Sequence, residues 1–115
     1  MLIHFKEMPT GGSDITLKKS IKPLKESLRS ILDLRPVTWK WRQEEAGRGI
    51  QYGFVAQEVE TILPDLVSEE QWVDGTTRKF LAADKITPLL VAALQEQQKQ
   101  IDDLRQEVKK LKKEQ

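Results

Sequence analysis

Behind the glycine pair Gly11-Gly12 the chain carries Ser13 and, five positions on, Lys18. A serine hydroxyl attacks a carbonyl only when a base takes its proton, and a lysine amine can do so once burial lowers its pKa toward neutrality. Hydroxyl plus neutral amine is a complete minimal dyad for cutting a peptide bond. Five residues of extended chain span about 16 Å, and residues five apart on a helix do not share a face, so a dyad demands a bend between 13 and 18. Glycines at 11 and 12 open backbone conformations closed to other residues and would let the Gly12 carbonyl sit beside the Ser13 hydroxyl. Cleavage between Gly12 and Ser13 is therefore geometrically open. The plainer reading has Ser13 capping a turn and Lys18 solvated, and a Ser and a Lys at this spacing recur by chance. Asp14, next to the serine, either orients Lys18 or caps the following turn.

Other chemistry is thin. The chain has no cysteine and one histidine, His4, so there is no thiolate nucleophile, no zinc site, and no metal or cofactor to expect. His4 could serve Ser13 as a base, but nine residues of upstream chain separate them, and a strand-surface role suits it better. Nineteen basic against 18 acidic residues leave a net charge of +1. No global field draws such a chain to nucleic acid or to an anionic membrane. The cluster Lys109-Lys110 and Lys112-Lys113 is interspersed with Glu107 and Glu114, which fits a solvated helix face rather than a nucleic-acid arm. No apolar run nears the roughly 20 residues of a membrane span, and residues 1–12 lack the pattern of a signal peptide, so a soluble protein is expected. Gln57, Glu58 and Glu60 offer carboxylates for acid-base work, with helix N-terminal charge the simpler account. Trp39, Trp41 and Trp72 suggest a stacking platform or, better, core or subunit interface, since Trp39 and Trp41 share a strand face.

The elements that must position these groups follow from periodicity. At 115 residues with 38% hydrophobic content the chain fits one small domain plus an extended element. Residues 1–8 alternate well enough for a short strand, which Pro9-Thr10-Gly11-Gly12 ends. From Ser20 the pattern turns helical: Pro23 suits a first turn, and Leu24, Leu28, Ile31 and Leu32 recur at helical spacing until Arg35-Pro36. Val37 to Arg42 alternates as a strand, a loop over 44–49 follows, and Ile50, Tyr52 and Phe54 mark its partner. Ala56 to Leu63 reads as a helix closed by Pro64. A second hairpin around Asp74-Gly75 runs to about Leu81.

Beyond Asp84 the chain changes character. Leu90, Leu94, Gln97, Ile101, Leu104, Val108 and Leu111 stand alternately four and three apart, a heptad seam of about three repeats with polar and charged residues between. So narrow a stripe needs partners, whereas a helix folding back on its own domain usually carries a wider one. Ile and Val at the first seam position with Leu at the second favour two strands on propensity, but Gln97 adds a polar layer and leaves strand number open. The fold class expected is α+β: a head of short strands, hairpins and short helices over 13–85, then a coiled-coil helix over 86–115.

Three blocks carry a resemblance to a known family. Ser13-Asp14-Ile15-Thr16-Leu17-Lys18-Lys19-Ser20-Ile21-Lys22-Pro23-Leu24 resembles the opening of the C-terminal intramolecular chaperone domains of bacteriophage tail fibres, tailspikes and neck appendages, a self-cleaving Ser-Lys endopeptidase family. Leu32-Asp33-Leu34-Arg35-Pro36-Val37-Thr38-Trp39-Lys40-Trp41 resembles its next block. The segment Gly53 to Val67 is similar to its most distinctive one, and the terminal helix matches in place.

The resemblance implies a homotrimer that guides folding of the upstream fibre domain of the same polypeptide. It then releases itself by a single cut in cis between Gly12 and Ser13, with Ser13 as nucleophile and Lys18 as general base. Residues 1–12 would be the remnant of the fibre, and so short a remnant suggests a fragment of a longer chain. The work would be done in the host cytoplasm during virion assembly, with the released chaperone absent from the mature virion. Thr16 stands where the family often has Arg, so any role of that arginine is unfilled. Two rivals of other classes are a structural trimerisation module that never cuts and a nucleic-acid-binding coiled coil, which the net charge does little to encourage.

Overall fold

A computed structural model describes residues 11–115. The strand expected over residues 1–8, and His4 with it, lies outside the described residues. The remainder is an α+β head of two short antiparallel hairpins and two short helices, from which one long C-terminal helix departs.

The first hairpin joins β1 (Val37–Trp39) to β2 (Gln51–Gly53), with Val37 opposite Gly53 and Trp39 opposite Gln51. Its register is set by an aromatic fit: a Cβ on Gly53 would stand 3.0 Å from the Trp39 ring, so only glycine admits the indole there. Trp41 meets Trp39 edge-on, with centroids 5.8 Å apart. The two tryptophans thus pack on one another, as their alternate spacing predicts. Trp72 likewise packs on Phe80.

The second hairpin joins β3 (Val67–Gln71) to β4 (Thr77–Leu81), and Val67 opposite Leu81 begins a register that runs to Gln71 opposite Thr77. Its turn is closed by Trp72 N–H to the Thr76 carbonyl (2.7 Å) and Gly75 N–H to the Trp72 carbonyl (3.0 Å), with Gly75 at φ +84°. Opposite charges face each other across the strands at Glu69 and Lys79, and Lys79 Nζ reaches both Glu69 (3.2 Å) and Glu60 (2.8 Å). Helix α2 (Ala56–Glu60) is thereby tied to the hairpin. It is shorter than the expected 56–63, because Thr61 Oγ1 donates to the Glu58 carbonyl and Leu63 N–H to that of Val59, closing the last turn ahead of Pro64.

Between the hairpins and the long helix lies a small core of Val59, Leu66 and Ile86, flanked by Ile31, Leu34, Phe54, Leu63, Val67, Leu81 and Leu89. Val59 is 1% exposed, and a valine buried to that degree contributes about 2 kcal/mol.

Helix α1 (Leu28–Asp33) corrects the reading of a helix beginning near Pro23. Ser20 and Glu26 have φ of +56° and +61°, left-handed values that interrupt any right-handed helix. What starts α1 is distant in sequence. The Ser27 hydroxyl, 3% exposed, donates to the Leu89 carbonyl (2.9 Å), and Leu28 N–H donates to the Glu96 carboxylate (3.1 Å). A carboxylate from the long helix supplies the acceptor that an N-terminal helix turn needs.

The long helix α3 (Ile86–Lys113) is about 42 Å long by its 28 residues. Its first turns belong to the head. Ile86, Ala92 and Ala93 are buried, and the alanines leave room for α1 to lie close. The other face carries the seam, and it is bare: Leu90, Leu94, Gln97, Ile101, Leu104, Val108 and Leu111 are all exposed, Leu94 and Leu104 by 64% and 65%. Among the described residues no helix is long and apolar enough to cross a membrane.

Candidate active site

Residues 11–26 form an arm along which every side chain is exposed. Within it Asp14 is extended (φ −63°, ψ 139°), Ile15–Leu17 make one turn of 3-10 helix, and Lys18 is extended again (φ −120°, ψ 148°). Leu17 N–H donates to the Asp14 carbonyl (3.0 Å) and Lys18 N–H to that of Ile15 (3.1 Å). A 3-10 turn advances only about 2 Å per residue, so it supplies the bend that the pair requires. Across it Lys18 Nζ donates to Ser13 Oγ at 2.7 Å.

That distance serves either protonation state. An ammonium donates to the hydroxyl oxygen, and after losing its proton the same nitrogen accepts the hydroxyl's hydrogen along the same line. Both side chains are exposed, and so are Ile15 (72%), Leu17 (59%) and Ile21 beside them. Among the described residues nothing desolvates the amine.

Asp14 does not touch Lys18. Its carboxylate accepts from Thr16 N–H (2.8 Å) and from the Thr16 hydroxyl (2.7 Å), capping the turn. The hydroxyl first, and then the amide, hold its carboxyl below the usual carboxylate range. Thr16 is the site residue that sequence reasoning missed. It was visible there only as an absent arginine, although Asp followed two positions later by Thr is a readable turn signal.

The other carboxylates are held in ion pairs that anchor elements. Glu58 accepts both guanidinium bonds of Arg35 (2.8 and 2.6 Å), which hold its carboxyl low and raise the arginine. Glu60 is taken by Lys79. Lys110, Lys112 and Lys113 lie in the last turn of α3, where positive charge opposes the negative helix end. No group of three or more His, Cys, Asp or Glu side chains among the described residues could hold a metal ion.

The arm, the first hairpin and α2 lie in a segment that has counterparts in other proteins. A family named as a peptidase and described as "Chaperone of endosialidase" has a model that matches residues 13–68. Over those residues the chain is similar to that family, as the three sequence blocks imply. The match opens on Ser13 itself and ends inside β3, so the arm and α2 lie within it and α3 beyond it. The match supports a chaperone role in phage fibre folding and, by the family's name, peptidase chemistry. No curated protein matches the chain.

Proposed function

We propose that the chain is an intramolecular chaperone which trimerises through α3, guides folding of a phage fibre domain upstream of it, and then cuts itself free between Gly12 and Ser13. The observation that carries the cleavage is the 2.7 Å bond from Lys18 Nζ to Ser13 Oγ, on the residue where the family match begins. Attack of Ser13 Oγ on the Gly12 carbonyl carbon forms a C–O bond while the hydroxyl proton passes to the neutral Lys18 amine. The Gly12–Ser13 C–N bond then breaks, and that proton goes to the departing Ser13 nitrogen. Water hydrolyses the resulting ester, which restores the hydroxyl and leaves a carboxylate on Gly12. The act is a single turnover, performed in the host cytoplasm during assembly.

The bare seam of α3 supports the trimer. Six apolar side chains stand exposed in one stripe along a helix of which only the first turns pack on the head, and partner helices are what cover such a stripe. Association at one end raises the effective concentration of three upstream strands that must pair over long sequence distances. It also offers what the dyad lacks, since Ile15, Leu17 and Ile21 are apolar surface that a second copy or the folded fibre can cover, desolvating Lys18.

The exposure of Ser13 and Lys18 favours a second reading, a trimerisation module that never cuts. Mass spectrometry of freshly synthesised chain separates the two. Loss of residues 1–12 from the wild type, abolished by Ser13→Ala and by Lys18→Ala, is the expected result. A wild-type chain that stays intact on a correctly folded fibre excludes cleavage. Sedimentation checks the trimer, and polar substitutions at Ile101 and Leu104 should return it to monomer.

A further inference from the structure

We infer that Thr16 is a positioning residue for the self-cleavage: by clasping Asp14 it holds the one-turn bend that sets Lys18 against Ser13. The inference rests on the cleavage reading above. Its ground is what the arm lacks. Residues 11–26 are all exposed, so among the described residues no core, strand or helix packs on the turn and fixes its shape. What holds it is local: two backbone bonds, Leu17 to Asp14 and Lys18 to Ile15, and two bonds into the Asp14 carboxylate, both from Thr16. An isolated turn of three residues is intrinsically weak, because each hydrogen bond must offset the ordering of several dihedrals.

Thr16 supplies both halves of the clasp. Its N–H is satisfied as the second donor of the turn, and its hydroxyl closes the same carboxylate oxygen from the other side. The side chain touches neither Ser13 nor Lys18, so it acts through the backbone alone. Asp14, turned toward Thr16, makes no bond to the Lys18 ammonium, and that nitrogen donates to the serine. At the one position that departs from the family pattern, a short hydroxyl side chain thus closes the turn from within.

The chain contains its own control. Asp74 and Thr76 make the same clasp in the β3–β4 turn, N–H and hydroxyl into one carboxylate oxygen, far along the chain from Ser13. The test is a time course of cleavage of the full chain in cell-free synthesis, read as the fraction keeping residues 1–12, with thermal unfolding of each uncut Ser13→Ala counterpart to show that it folds. Thr16→Val, which keeps the shape and removes the hydroxyl, should slow cleavage by about tenfold, the factor that follows from about 1.4 kcal/mol of lost alignment. Thr16→Ser should restore the rate, and Thr76→Val should leave it at the wild-type value. Thr16→Val cutting at the wild-type rate, or Thr16→Ser failing to rescue, overturns the inference while the cleavage reading stands. A wild-type chain that never cuts overturns both.

Discussion

Two turns of this chain are built from the same device, an aspartate whose carboxylate takes the N–H and the hydroxyl of a threonine two residues on, and they are held by different things. At Asp74 and Thr76 the device sits between β3 and β4, whose five-residue register and Trp72–Phe80 contact fix the chain on both sides. At Asp14 and Thr16 it sits on an exposed arm that packs on none of the other described residues. In the hairpin the clasp ornaments a turn that the strands already dictate. On the arm the clasp and two backbone bonds are most of what there is. A turn held so locally can be ordered or released by whatever covers the arm, and a dyad placed there can wait for assembly, whereas one built into the hairpin would be complete as soon as the head folds.

The sharpest way to separate the two regions is to weaken the frame of one. Val59→Ala opens a void in the core beneath β3 and β4 and should cost about 2 kcal/mol, lowering the melting temperature by roughly 10 °C. Below that transition the fraction of chains that lose residues 1–12 should match the wild type, since the arm draws nothing from this core. A cleavage defect at temperatures where the head is folded would show that the arm leans on the head after all.

What was legible in the sequence divides along the same line. The Asp74-Gly75 turn, the alternation from Val37 to Arg42 and the seam from Leu90 to Leu111 are local signals, and the hairpin turn and the long helix formed where they predict, while the strand formed only over Val37–Trp39. The start of α1 was not legible, because its cap comes from Leu89 and Glu96, 62 and 68 residues away, and no window on Pro23 to Leu32 contains them. Nor was the inner face of α3, since Ala92 and Ala93 are too small to register as an apolar stripe and matter only because α1 lies on them. At the site, residue types and spacing named Ser13 and Lys18 and called for a bend. The device that makes the bend is a hydrogen bond between exposed polar groups, which leaves no hydrophobic period to read.

A matched pair of glycines tests the comparison at smaller amplitude. Gly11 and Gly75 both have φ +84°, and an added Cβ would meet nothing within 4 Å at either. Alanine therefore costs only backbone strain, about 1 kcal/mol where the conformation is enforced. The hairpin enforces it, so Gly75→Ala should lower the melting temperature by about 5 °C. The arm can relax, so Gly11→Ala should leave melting unchanged. Equal losses at the two positions would mean that the arm is held as firmly as the hairpin.

The smallest effect is a titration. Thr16 holds the Asp14 carboxyl below the usual range through its hydroxyl and then its amide, and Thr76 does the same for Asp74, with Arg78 adding a lesser pull at 3.6 Å. A carboxyl whose folded pKa is depressed contributes stability above its unfolded value, near 3.9, and loses it as pH falls through the lower folded value. Both clasps should therefore open only in acid, below the range where free aspartates titrate, and carbon-13 carboxyl shifts in the uncut Ser13→Ala chain can follow each one. Thr16→Val should return Asp14 toward the free value, whereas Thr76→Val should leave Asp74 partly depressed because Arg78 remains. If Asp14 stays as low without the Thr16 hydroxyl as with it, more than the remaining Thr16 amide holds it, and a cation is the alternative. Lys18 would be the nearest candidate in sequence, and the aspartate would then orient the amine directly, reversing the roles that the two turns suggest.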